Sequence, residues 1–164
     1  MKQRAKTFDD WRKVFESPDE GLQKFAISES PAYAETLDHW LYLFKVSVKV
    51  SDGELNKRAC EELKQRANTF DDWHKISEIS DEKLKILAYQ GMLNLVATTD
   101  EWEKLSSIYD DKLEELMVQK LEKSEKTFDE WKELWNVLHG KPEDVAYQRM
   151  RESMMNHAIQ AKTE

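Results

Sequence analysis

The chain has 164 residues and a formal net charge of −8 at pH 7, with 35% charged and 40% hydrophobic residues. This composition is too apolar for a disordered chain, and the negative charge disfavours nucleic acid as a partner because phosphate backbones repel it. No apolar run approaches the roughly 20 residues of a membrane-spanning helix, so we expect no membrane association. The single cysteine, Cys60, excludes an internal disulfide and favours a reducing compartment, so we expect a cytoplasmic protein.

A pentapeptide that begins with threonine and ends with tryptophan occurs five times. The threonines lie 29, 33, 29 and 29 residues apart, at Thr7, Thr36, Thr69, Thr98 and Thr127. Self-similarity at such a period is typical of proteins in which each repeat buries its apolar face against its neighbours. We therefore predict an all-α solenoid of about five helix-turn-helix repeats of 29–33 residues, with about ten helices. It forms one domain, 1–164, with approximate units 7–35, 36–68, 69–97, 98–126 and 127–160.

Cap residues mark the helices in chain order. Each pentapeptide threonine predicts the start of a first helix, and in the fourth repeat Thr98 with Glu101 three residues later predicts a capping box. Ser17 and Ser51 predict capping boxes for the second helices of the first two repeats, and Asp110 predicts the cap in the fourth. Pro31 predicts a kink or split in the second helix of the first repeat. The paired acids that follow the threonines fit first-turn positions, so we predict no metal site.

The first repeat has a close copy later in the chain. Residues 2–11 match residues 64–73 at nine of ten positions, 62 residues apart. Residues 2–6 therefore correspond to the end of a second helix. Solenoids usually close with atypical polar caps, and neither terminus has one. Our hypothesis is that the chain is a segment of a longer array or associates end to end with another copy.

The fourth repeat resembles the tetratricopeptide pattern. Trp102, Leu105 and Tyr109 have the spacing of the first helix of that family, whereas Ser106 stands where the family prefers glycine. The period is also shorter than the family's 34 residues. The resemblance implies a right-handed superhelix with a concave groove that binds peptides or partner proteins.

Two repeats depart from the shared pattern. Four repeats have polar residues directly after the tryptophan, whereas the second has Leu41 and Tyr42, and Val46 and Val48 follow. Alternation over residues 44–50 also reads as a short strand. Either this longer repeat covers a neighbour with an extended helix and loop, or the four residues form an exposed patch that docks a partner. In the fifth repeat, Trp135 replaces a smaller or differently shaped residue and is a further candidate for partner contact.

No motif in the sequence points to catalysis. The four histidines lie in four different contexts, the four glycines form no phosphate loop, and no serine or cysteine lies in a nucleophile motif. We therefore predict no enzyme activity and no cofactor. The expected function is a protein–protein interaction scaffold that binds a peptide or partner helix on a solenoid face. The alternative is an architectural or self-assembling spacer of a larger protein, with no ligand of its own.

Overall fold

The computed structural model describes residues 5–160, and the side chains of residues 5–155. This part of the chain forms ten α-helices and one 3-10 turn, Ser30–Tyr33, and it contains no strand. The helices are α1 (Phe8–Phe15), α2 (Glu20–Glu29), α3 (Leu37–Val50), α4 (Gly53–Arg66), α5 (Phe70–Ser77), α6 (Glu82–Leu95), α7 (Thr99–Ser106), α8 (Asp111–Glu122), α9 (Phe128–Val137) and α10 (Lys141–Gln160). The all-α prediction is confirmed, and the strand read from residues 44–50 is wrong because those residues lie in α3.

The pentapeptide threonines are the N-caps of the first helices, as predicted. Each hydroxyl oxygen accepts a hydrogen bond from the backbone three residues on, and four repeats form complete capping boxes. The second repeat has a histidine in place of the acid. There, His39 Nδ1 accepts from the Glu35 N–H at 3.2 Å, as Glu101 Oε2 accepts from the Ala97 N–H at 2.8 Å in the fourth repeat.

Aspartates cap the second helices of the first four repeats. The caps are Asp19, Asp52, Asp81 and Asp110. The capping boxes predicted at Ser17 and Ser51 are wrong. In the first repeat, Asp19 Oδ1 accepts from two amides of the first helical turn, Gly21 N at 2.8 Å and Leu22 N at 3.1 Å. A carboxylate is the better acceptor for these amides, so the serine is left outside the helix.

The chain divides into two compact units at the start of the third repeat. Residues up to Asn68 belong to the N-terminal unit, and residues from Thr69 belong to the C-terminal unit. In the C-terminal unit, α5 pairs with α6 and α9 with α10, while α6 packs on α8, α8 on α10 and α7 on α9. Consecutive repeats of this unit therefore lie side by side.

One apolar cluster forms the core of the C-terminal unit. Its buried members are Phe70, Tyr89, Met92, Leu93, Trp102, Leu105, Leu113, Met117, Leu121, Trp131, Leu134, Leu138 and Ala146. The pentapeptide residues Trp102 and Trp131 thus act as packing residues. Trp73 reaches its place in the core because Gly91 leaves room for the indole, which a Cβ at that position would overlap.

The N-terminal unit contains the longest first helix and the shortest second helix. α3 has 14 residues where α1 has 8, so the extra residues of the second repeat lengthen a helix. α2 ends at Glu29, and Pro31 lies in the 3-10 turn that follows, which confirms the predicted split.

The resemblance to the tetratricopeptide pattern depends on Tyr109, which lies outside the first helix of the fourth repeat. α7 ends at Ser106, and Tyr109 lies beyond it with 96% of its surface exposed. Of the three residues with the spacing of that pattern, Trp102 and Leu105 are buried on α7 and Tyr109 is not. The first helices of the third and fourth repeats have 8 residues each.

Candidate functional site

The first and second repeats contact each other through aromatic side chains. The Phe8 ring stacks on His39 with centroids 4.1 Å apart, and it meets Tyr42 edge-on at 6.1 Å. Tyr42 also lies 5.8 Å from the Phe15 ring, and the Arg12 guanidinium lies over it at 5.0 Å. Burial raises the pKa of the Tyr42 hydroxyl, an effect that the positive charge of Arg12 partly offsets. Tyr42 is therefore a packing residue between α1 and α3.

A groove runs beside this contact, between α2 and the turn that joins α3 to α4. Its middle part has a volume of about 820 Å³ and is bounded by Gln23, Lys24 and Ile27 on one side and by residues 50–54 on the other. One end continues past Tyr42, Val46 and Lys49, and the other continues past Pro31, Leu55 and Arg58. We call this continuous depression the α2–α3 groove.

Apolar and charged side chains line the groove together. Ile27 and Val46 are half-buried and Val50 is partly exposed, so hydrocarbon remains accessible along the groove. Lys24 and Lys49 are exposed at the edges. This combination of an apolar strip with a polar rim is typical of surfaces that bind proteins.

Two polar residues of the groove have structural roles. Gln23 Nε2 donates to the Ser17 carbonyl oxygen at 2.6 Å and to that of Phe15 at 3.3 Å, which fixes the turn before α2. Asp52 caps α4 by accepting from the Leu55 N–H at 2.9 Å. These bonds hold the two walls in place and leave the groove without a convergent set of polar groups.

The five candidate residues are one group of four in the second repeat and Trp135 in the fifth. Tyr42 and Val46 line the groove, whereas Val48 is exposed and, like the half-buried Leu41, does not line it. Trp135 belongs to the other unit, where its ring lies 5.6 Å from that of Tyr147. Partner binding by any of these residues stays a prediction.

Sequence reasoning missed the α2 wall of the groove. Lys24 and Ile27 lie in a helix that looks like any other second helix, so no single residue marks them. The signal was Pro31, because the early end of α2 separates this helix from the longer second helices of the other repeats. The recurrence of valine at positions 46, 48 and 50 was a second signal, and of these only Val46 and Val50 line the groove.

Comparisons with known proteins give no relative: no family model, curated protein or solved structure matches this chain. None of the helices in residues 5–160 combines the length and apolarity needed to cross a bilayer. Across the same residues, histidine, cysteine and acidic side chains do not gather into a group that could hold a metal ion.

Proposed function

We propose that this protein is a non-enzymatic interaction scaffold whose α2–α3 groove binds a peptide segment or helix of a partner protein. The observation that carries the proposal is the open groove of the N-terminal unit. In the C-terminal unit the second helices of consecutive repeats pack directly on each other. In the N-terminal unit the corresponding space beside α2 is open, and Ile27 and Val50 line it among polar and charged residues.

The dimensions and chemistry of the groove suit a peptide. Val46 and Val50 are one helical turn apart on α3, and Ile27 of α2 lines the groove together with Val50, so the three residues offer apolar contacts to side chains of a ligand. An amphipathic helix or an extended segment presents anchors at such spacing. The exposed Lys24 and Lys49, together with the exposed acids Glu20 and Glu54, favour a ligand that carries both signs of charge.

The proposed test first identifies the ligand and then measures its affinity. A photo-crosslinking amino acid at Val50 captures the bound segment in an extract, and mass spectrometry gives its sequence. The synthetic segment is then titrated calorimetrically against the wild-type chain and against Val46→Glu and Ile27→Glu. We expect each substitution to weaken binding at least about tenfold, since it places a charge on an apolar contact.

Val48→Glu is the matched control for this test. Val48 is 58% exposed on the same helix and does not line the groove, so its substitution should leave the affinity unchanged. Equal losses from Val48→Glu and Val46→Glu would move the site away from the groove, and unchanged binding in Val46→Glu and Ile27→Glu would refute it. Tyr42→Glu is not informative because the residue packs α1 on α3.

The alternative function is an architectural segment with no ligand of its own. The observation that favours it is the exposure of large apolar side chains on the first and the last repeat, among them Phe25 and Tyr147. This alternative predicts that crosslinking at Val50 captures no reproducible segment.

A further inference from the structure

Consecutive repeats of the C-terminal unit meet at fixed positions of their first helices. Lys104 of the fourth repeat reaches back to the third, where its Nζ lies 3.2 Å from Asp71 Oδ1 and 5.8 Å from the Phe70 ring centroid. Ser106 faces the fifth repeat and accepts from the His139 N–H at 2.8 Å. The positions of Phe70, Asp71 and Ser106 therefore face the following repeat, and the position of Lys104 faces the preceding one.

The second helices follow the same rule. Lys85 Nζ lies 2.6 Å from Oδ2 of Asp110, the N-cap of the next second helix. Tyr89 is one turn after Lys85 on the same side of α6, with its ring centroid 5.7 Å from the Lys85 ammonium, so its position also faces the following repeat. In the following repeat pair, Arg149 of α10 donates from Nη2 to the Glu122 carbonyl oxygen of α8 at 2.8 Å. Val145 lies one turn before Arg149 on the same side of α10, so it also faces the preceding repeat and packs in the core.

In the last repeat, the positions that face a following repeat carry exposed aromatic side chains. Counting in steps of 29 residues, Phe70 corresponds to Phe128, Asp71 to Asp129, Ser106 to Trp135 and Tyr89 to Tyr147. Ser106 and Tyr89 are buried, whereas Trp135 is 36% and Tyr147 43% exposed. We call Phe128, Asp129, Trp135 and Tyr147 the last-repeat face.

The first repeat exposes the complementary positions. Lys13 corresponds to Lys104, Asp19 to Asp110, Leu22 to Leu113 and Phe25 to Leu116. Leu113 is buried and Leu116 packs against the core of the C-terminal unit. By contrast, Leu22 is 43% and Phe25 55% exposed. We call Lys13, Asp19, Leu22 and Phe25 the first-repeat face.

We propose that the last-repeat face of one molecule binds the first-repeat face of a second copy of this chain, in the way that consecutive repeats bind each other. The two faces have matching apolar residues, and Lys13 meets Asp129 as Lys104 meets Asp71. One pair is unfavourable, since Glu143 takes the place of Lys85 and meets Asp19. Because the two faces differ, a dimer still has one free face of each kind, so further copies add to it unless the two free faces of one assembly meet and close a ring.

Sedimentation velocity of the full chain over a concentration series tests the contact. The wild type should form a ladder of oligomers, while Trp135→Glu and Phe25→Glu should each weaken association about tenfold or more, since each places a charge on an apolar contact. A mixture of the two variants should form a one-to-one dimer and nothing larger, because one intact face remains on each molecule. Val48→Glu is the control and should associate like the wild type, and circular dichroism melting verifies that every variant is folded.

A substitution that strengthens the contact gives a second readout. Glu143→Lys recreates the Lys85–Asp110 pair against Asp19 and should tighten association about threefold, as one exposed ion pair contributes little. A wild type that stays monomeric throughout the series overturns the proposal. So does a Phe25→Glu variant that associates normally while Trp135→Glu does not, since that pattern means a symmetric contact between two last repeats. Neither result bears on peptide binding in the groove, which has its own variants.

Discussion

The two units use the same repeat in different ways. In the C-terminal unit, α6 packs on α8 and α8 on α10, so the space between second helices is filled by side chains of one core. In the N-terminal unit, the α2–α3 groove lies beside the shortest second helix. Leu22 is exposed on that helix, whereas Leu113 at the equivalent position is buried.

This difference shows that local sequence determines where a helix begins, and that the neighbouring helices determine whether its apolar face is buried. The first and third repeats start with the same pentapeptide and form the same capping box. Their second helices then diverge, because Pro31 stands where the third repeat has Leu93 inside α6. One proline therefore changes the length of the helix that borders the groove.

The largest expected effect comes from truncating the two equivalent leucines. Leu113→Ala should lower the free energy of unfolding by about 3 kcal/mol, because it opens a cavity in a closed core. Leu22→Ala should cost about 1 kcal/mol, since its side chain already contacts water. Urea unfolding followed by tryptophan fluorescence measures both. Equal losses would mean that Leu22 is covered in solution, and a concentration series would then show whether a second copy covers it.

Two helical glycines should respond in opposite directions to alanine. Gly91→Ala forces a Cβ into the Trp73 indole and should destabilise the C-terminal unit by about 2 kcal/mol. Gly53, at the start of α4, has no atom within 4 Å of a Cβ, so Gly53→Ala should stabilise by about 0.5 kcal/mol. Thermal melting of both variants, compared with the wild type, measures the two changes in stability. A Gly91→Ala protein as stable as the wild type would show that Trp73 is free to move aside.

The helices of this protein could be predicted because their signals are local. A threonine followed by an acid at the third position starts a helix wherever it occurs, and Pro31 ends one regardless of what lies around it. The length of α3 could not be predicted in this way. Its alternating valines have strand-like spacing, but the helix continues through them to Val50 because the extended α3 packs along α4.

The candidate site was only partly predictable, because exposure depends on the neighbouring helix. The sequence singled out four residues of the second repeat, Leu41, Tyr42, Val46 and Val48. Tyr42 packs against Phe8 and Phe15, and of the other three only Val46 lines the groove. The opposite wall comes from α2, more than fifteen residues earlier in the chain. No pattern along the sequence indicates that these two walls lie next to each other.

The contact between neighbouring second helices can be measured by removing one charge. Asp110 and Asp19 cap α8 and α2 through the same kind of amide bonds, but Asp110 also binds Lys85 Nζ. Burial acts to raise the pKa of Asp110, and the hydrogen bonds from Lys85 and the backbone outweigh it, so the pKa lies below its usual value. Asp110→Asn keeps the cap and should cost about 1 kcal/mol, whereas Asp19→Asn should cost close to none. Similar costs in urea unfolding would contradict a special role for the Lys85 pair.

The smallest expected effect is on acid stability, and it separates α7 from α3. The backbone N–H of Ala97 is the main cause that lowers the pKa of Glu101, with further bonds from Thr98. A carboxyl whose pKa is lower in the folded state stabilises the fold above its unfolded pKa of about 4.3, and this contribution is lost as the pH falls through the folded pKa. Glu101→Gln should therefore lower the melting temperature at pH 7 and reduce its fall between about pH 5 and pH 3.

Glu103→Gln, on the exposed side of the same helix, is the control and should leave the fall in melting temperature as it is in the wild type. Equal slopes in both variants would show that the capping carboxylate contributes nothing to the pH dependence. The second repeat has His39 in place of this acid, so no carboxylate occupies the capping position at the start of α3.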